Sequence, residues 1–156
     1  MNFYEANASL FGKEALDVAD LELMYQLEMS GEQFYYRLAD RVGDEQAADL
    51  LRKNGVEERA HARRLAKALS VKLGRAWEPT AEQQKIMDIP LPETLSPKLF
   101  AGIVQGELGG DAGYQRGADT AAAPEVQRLR RLNGREETIH AQRAQQVLDL
   151  IEARSA

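Results

Sequence analysis

Glu58-Arg59-Ala60-His61 and Glu137-Thr138-Ile139-His140 hold both histidines of this chain, each placed three residues after a glutamate, with 79 positions between the two stretches. The same offset carries Glu28 onto Glu107. Working outward, residues 26–71 align on 105–150 without a gap, with identities that include Gln26, Gly31, Tyr35, Asn54, Gly55, Glu57, Ala62 and Arg64. Self-similarity at one long period, in two copies, reads as a duplicated helical hairpin rather than a solenoid. Chance similarity between helices of like composition would match Ala, Leu and Arg. It explains poorly why both histidines and four glutamates share one offset.

The flanking residues predict four long helices in one all-α domain spanning residues 1–156. The first runs from about Asp17 to Arg41, with Gly43 as its stop and Asp44 as the cap of the next. The second runs from about Glu45 to Val71. A linker beginning at Gly74 and containing Pro79, Pro90 and Pro92 follows, with a short helix expected over Ala81 to Met87. Ser96-Pro97, a cap followed by proline, opens the third helix, which continues to about Asp119. Pro124 starts the fourth, which continues nearly to the C-terminus. A short extra helix is expected over residues 5–12. No period-two alternation suggests a strand. Short turns within each hairpin and one long connection between them predict an antiparallel four-helix bundle with a single crossover.

Stepping by three and four from each candidate residue meets apolar side chains. The walk from Glu28 passes Leu21, Met24, Gly31, Tyr35 and Leu38; that from Glu107 passes Phe100, Ile103, Gly110 and Tyr114. Glu58 and His61 share a stripe with Leu51, Leu65 and Leu69, and Glu137 and His140 with Leu129, Ala144 and Val147. The glutamates therefore face the core. A buried carboxylate costs several kcal/mol unless paired or coordinated, and two imidazolium groups cannot balance four of them. Two divalent cations can. Residues three apart on a helix share a face, with Cβ atoms roughly 5–6 Å apart, so one helix presents a carboxylate and an imidazole to one cavity. Glu58 and Glu137 are expected to bridge two ions, with Glu28 and His61 completing one and Glu107 and His140 the other. Oxygen and imidazole donors suit Fe or Mn without choosing between them. A glutamate on each of two helices and Glu-x-x-His on each of the other two is the ligand set of di-iron and di-manganese carboxylate bundles.

Val56-Glu57-Glu58-Arg59-Ala60-His61-Ala62-Arg63-Arg64-Leu65 resembles the metal-binding second helix of rubrerythrins, in the ferritin-like superfamily. Tyr35 falls where rubrerythrins carry a tyrosine near the irons. The resemblance covers about residues 17–153. It implies a ferritin-like di-iron bundle that reduces hydrogen peroxide or dioxygen, an oxidoreductase holding two Fe ions. Rubrerythrins append an iron-sulfur domain with four cysteines; this chain has no cysteine, so a separate electron-donor protein or small reductant is expected. Gly110 stands where rubrerythrins carry a further glutamate, and the spacing from Glu28 to Glu58 is shorter than theirs by about one helical turn. Bacterioferritins share the six-ligand pattern but place a haem-binding methionine where Arg59 stands, so no haem is expected. The fourth helix is expected to be the last, so the short fifth helix of ferritin cages is not expected. Iron storage and oxygenation of an organic substrate are the alternatives.

The remaining features bound the reading. A net charge of −5 and a pI near 5.2 argue against nucleic acid as a main partner. No apolar run approaches the roughly 20 residues that cross a bilayer, and the N-terminus lacks the basic start of a secretory signal. A cytoplasmic protein is expected, with a homodimer as a candidate assembly. Arg63 and Arg64, and Arg128, Arg130 and Arg131, read as solvated faces. Glu32 and Asp111, twins one turn beyond Glu28 and Glu107, also read as a solvated face, with a supporting or additional-ligand role as the alternative. Asn54 and Asn133 either orient the bridging glutamates or sit at the bundle's edge. Tyr35 and Tyr114 read equally as donors to a metal ligand, electron relays or core aromatics. Trp77 is expected to pack across the bundle end. Six glycines in the third helix, Gly102, Gly106, Gly109, Gly110, Gly113 and Gly117, each cost up to about 1 kcal/mol relative to Ala. Close helix packing or an open pocket beside Glu107 would offset them.

Overall fold

Caps and breakers set the helix ends. The computed structural model describes residues 1–155, and among these it contains five helices and no strand. α1 (Phe3–Leu10) begins at a capping box in which Asn2 and Glu5 satisfy each other's backbone amides. α2 (Val18–Arg41) has the same device at Asp17 and Asp20. Gly43, at φ 73°, turns the chain in the left-handed region, and Asp44 accepts from the Ala47 amide to start α3 (Glu45–Leu73). Gly74 ends α3 in the same left-handed conformation. Ser96 caps α4 (Pro97–Thr120), with proline in its first turn, and Pro124 opens α5 (Pro124–Ser155).

The linker does not contain the short helix expected over Ala81 to Met87. It makes a turn over residues 81–84, closed by Gln84 N to Thr80 O and by reciprocal bonds between Thr80 and Gln83. So few residues between Pro79 and Pro90 cannot offset the cost of starting a helix. Gln26 and Ser30 of α2 instead bind the linker backbone at Glu82, Lys85 and Met87.

The long helices form a bundle in which α2 packs on α3, α4 on α5, and α3 on α5. The fourth side is different. No Cα of α2 comes within 8 Å of a Cα of α4; α1 has α2 as its helix neighbour and binds the linker through Phe3 N to Asp88 O and the Tyr4 hydroxyl to Pro90 O. Leu38, Leu51, Phe100 and Val147 fill one end of the interior, and Leu21, Leu65, Leu69 and Trp77 the other. Trp77 closes its end as expected, its indole donating to Glu22 at 3.0 Å. Between the two apolar clusters lies a layer of buried charge.

Candidate metal centre

The layer is built from both hairpins. Glu58, His61, Glu137 and His140 are all buried, and one donor atom from each lies within 4.8 Å of the others, an arrangement that could hold a metal ion. The two imidazoles stack at 5.1 Å between centroids. Each presents Nδ1 to the carboxylates. His61 Nδ1 lies 2.9 Å from Glu137 and 3.5 Å from Glu28; His140 Nδ1 lies 2.8 Å from Glu58 and 3.7 Å from Glu107. Each histidine thus meets the lone glutamate of its own hairpin and the Glu-x-x-His glutamate of the other. Glu28 and Glu107 stand at the flanks of the quartet.

The tyrosines cross the same gap in opposite directions. Tyr114 on α4 donates to Glu28 on α2 at 2.6 Å, and Tyr35 on α2 donates to Glu107 on α4. Both tyrosines are buried in the apolar clusters and each hydroxyl donates to a glutamate of the layer, an arrangement that suits a core aromatic with a satisfied hydroxyl as well as a donor to a metal ligand. Gly31 and Gly110 explain how the remaining two carboxylates fit. A Cβ at Gly31 would lie 2.8 Å from Glu58 Oε2, and one at Gly110 would lie 2.6 Å from Glu137 Oε2. The space beside Gly110 is occupied by the carboxylate of Glu137.

Several residues outside the predicted set organise the cluster. The outer nitrogen of His61 meets Glu136 at 3.1 Å, and that of His140 meets Glu57 at 3.0 Å. Arg64 binds Glu136 at 2.6 Å and Arg143 binds Glu57 at 2.7 Å. With Nε2–H donating to these glutamates, Nδ1 is the nitrogen that faces the cluster, and it can offer a lone pair to a cation once it has given up its proton. Glu57 and Glu136, like Arg64 and Arg143, are matched pairs of the internal repeat. That signal was present in the sequence, but neighbouring residues on a helix diverge by about 100°, and Glu57 beside Glu58 reads as solvent-facing. Arg64 is likewise no solvated residue. Arg130 is 3 % exposed, its guanidinium bound to the Gly117 carbonyl in the α4–α5 contact.

Asn54 and Asn133 neither orient the bridging glutamates nor sit at an edge. Both are fully buried, and each donates to the backbone carbonyl of the opposite histidine, Asn54 to His140 at 3.1 Å and Asn133 to His61 at 3.3 Å. Their oxygens accept from Arg143 and Arg64. Glu32 is 4 % exposed rather than solvated, held by the Tyr36 hydroxyl at 3.2 Å with Arg59 nearby. Asp111 is half-buried and accepts from Thr138 and Gln115.

Electrostatics divide the carboxylates. Burial, then the charges of Glu28 and Glu137, pushes Glu58 well above the usual carboxyl range; burial and the charges of Glu107 and Glu28 do the same to Glu137. For Glu28 burial works against ionisation, yet the adjacent Glu58 carboxyl, the His61 imidazole and the Tyr114 hydroxyl hold it at about 2. Burial also opposes charge on the histidines. The surrounding carboxylates, Glu136 foremost for His61 and Glu107 for His140, outweigh it and raise them to about 12 and about 10. Protons alone can therefore neutralise the layer, at the cost of crowding like groups together.

A cation fits these residues better. His61 Nδ1, His140 Nδ1, Glu107 Oε2 and Glu137 Oε1 are buried without a hydrogen-bond partner. The 2.9 Å approach of His61 to Glu137 is thus close in distance but not aligned as a hydrogen bond. Two donors each about 2.1 Å from one ion at a right angle stand about 3 Å apart. Orphaned buried donor atoms are costly in a protein interior and ordinary around a metal. No family profile matches this chain, and no curated protein or solved structure matches it.

A cleft of about 600 Å³ opens between α1, α2 and α4 and reaches Glu28, Glu58, Glu107 and Glu137. It answers the question of the glycines in α4. Gly102 and Gly106 face open space, with no atom within 4 Å of an added Cβ. No helix is long and apolar enough to cross a membrane among the described residues.

Proposed function

We propose that this chain is a ferritin-like, rubrerythrin-like di-iron oxidoreductase that reduces hydrogen peroxide or dioxygen with electrons from a separate donor. The observation that carries the reading is the duplicated constellation: buried Glu28, Glu58 and Glu137, half-buried Glu107, and two buried histidines whose Nδ1 atoms are turned inward and unpartnered. Glu58 and Glu137, the central carboxylates, would be shared by two ions. Glu28 with His61 and Glu107 with His140 would complete them. Two iron ions, if held by these residues, would supply the electrons for cleaving an O–O bond.

The chain's own residues do the rest. Glu57 and Glu136 hold the histidines in the Nδ1-ligating tautomer. Tyr35 and Tyr114 keep phenolic protons beside the cluster, on Glu107 and Glu28, where a proton must be delivered as oxygen is reduced. Burial and neighbouring carboxylates hold both phenols well above their ordinary pKa, so they act as hydrogen-bond donors, not phenolates. The cleft gives a small oxidant access to the carboxylates.

Anaerobic loading with Fe(II) tests this. The expected stoichiometry is two iron ions per chain, with oxidation by peroxide faster than by oxygen when followed optically. Fewer than about one metal per chain, or no oxidation by either, would overturn the reading. A second reading, an oxygenase acting on an organic substrate, is favoured by the apolar character of the cleft that reaches the same carboxylates.

A further inference from the structure

The cleft is larger than peroxide or dioxygen requires, and its lining has a definite pattern. Leu16, Met24, Leu27 and Phe34 form one wall, and glycines of α4 form the other. The only acidic lining residues are Glu28, Glu58, Glu107 and Glu137, at its floor. Every other charged lining residue is basic: Lys13, Lys98 and Arg116. In a chain with 25 acidic and 20 basic side chains, that rim is not a sample of the average surface.

The cations have a place along the cleft. Leu16 lies 3.6 Å from where a Cβ at Gly117 would stand, so the segment between α1 and α2 sits beside the end of α4. Lys13 and Arg116 therefore share one end, where Arg116 is exposed and folds back along Gly113. Lys13 is engaged by Asp20 at 2.8 Å; Arg116 forms no ion pair among the described residues. Nine residues separate Arg116 from Glu107, about 13 Å of helix. Phe11, 77 % exposed, lays its ring over Gly109 between them.

We infer that the α1–α2–α4 cleft binds an elongated aliphatic molecule with an anionic head. Arg116 and Lys13 hold the head at the open end. The hydrocarbon runs beside the Phe11 ring, which itself covers Gly109, into the open space at Gly106 and Gly102, and passes over the carboxylate layer. Side chains at Gly102 and Gly106 would fill that space; their absence costs helix stability and leaves the room. The binding site stands whether or not metals occupy the layer, because its contacts are apolar surface and two rim cations.

Decanoate, decanol and decyltrimethylammonium are the probes, titrated calorimetrically into the metal-free chain and into the chain loaded with Mn(II). Decanoate is expected to bind at a single site in both, decanol more weakly and the cation not at all. Gly106→Leu has open space for its side chain and is expected to fold at least as stably as the parent. It should weaken decanoate at least about tenfold, the equivalent of two methylenes losing contact, with Mn(II) uptake unchanged. Arg116→Glu should weaken decanoate about fivefold, the upper reach of an exposed ion pair, without affecting decanol. Absence of heat with every probe, equal binding of the cationic probe, or indifference to Gly106→Leu would overturn the inference. So would a homodimer that Gly106→Arg dissociates in sedimentation, since the cleft would then be an interface between copies of this chain. Failure of Mn(II) uptake with decanoate binding intact would count against the metal reading alone.

Discussion

Replacing Gly110 by alanine separates stability from metal binding. The new Cβ would stand 2.6 Å from Glu137 Oε2, and relief to 3.4 Å, where ordinary contact begins, requires a shift of 0.8 Å. Metal ligands must be held to within about 0.5 Å of their working geometry. The displaced carboxylate is the one expected to bridge, so both ions feel the change. Losing the support of a ligand typically reduces metal affinity about 10–100-fold, and a reduction of that size is expected here. Helix propensity acts the other way: alanine in place of glycine favours the helix by about 1 kcal/mol, or about 2–4 °C in Tm for a chain of this size. The metal-free Gly110→Ala chain should therefore melt no lower than the parent by more than the strain at Glu137 removes. Gly106→Ala is the control, because open space surrounds its Cβ. It should gain the full thermal increment and keep the parent's affinity. Chelator competition with Mn(II) measures affinity, and calorimetric melting measures stability. Equal affinity in Gly110→Ala, Gly106→Ala and the parent would refute the role assigned to Glu137 and the reason given for the glycine.

Glu57→Gln and Glu136→Gln should each lower metal affinity by about tenfold and to the same extent, since each supports one histidine in matched surroundings; chelator competition reads both. Tyr114→Phe leaves an oxygen of Glu28 without its donor in a buried site and should destabilise the metal-free chain by about 1–3 kcal/mol in urea. The pH dependence follows from the histidines. His61 and His140 are raised from 6.5 to about 12 and about 10, so their stabilisation of the metal-free fold is complete below pH 6.5 and is lost as pH rises toward 10 and beyond. Metal must displace those protons together with the ones on Glu58 and Glu137. Loading should therefore release acid into weakly buffered solution, and the rise in Tm on adding Mn(II) should be larger at pH 8 than at pH 6.

The helix boundaries were legible because the residues that set them act locally. Asp17, Asp44, Ser96 and Pro97 perform within one turn the capping that their chemistry allows. The inward face of each helix was legible for a related reason, since a buried stripe must repeat with the helix period. The cross-hairpin bonds were not. Asn54 reaches the His140 carbonyl because α3 and α5 pack at a particular offset, and nothing within either helix encodes that distance. Arg64 was misplaced because a charged residue looks solvated until its partner on another helix is known, whereas Glu32 is held by Tyr36 of its own helix. The cleft was half visible. The glycines announced missing volume, whereas the separation of α2 from α4 belongs to the assembled bundle.

The exchange of contacts between hairpins has a consequence for how the site comes into being. His61 is oriented by Glu136 and Asn133, His140 by Glu57 and Asn54, Glu28 by Tyr114 and Glu107 by Tyr35. Neither hairpin carries a finished half of the centre that could mature by itself. Donor geometry arrives only when the two halves interlock, so the complete set of inward-facing donors exists only in the assembled bundle.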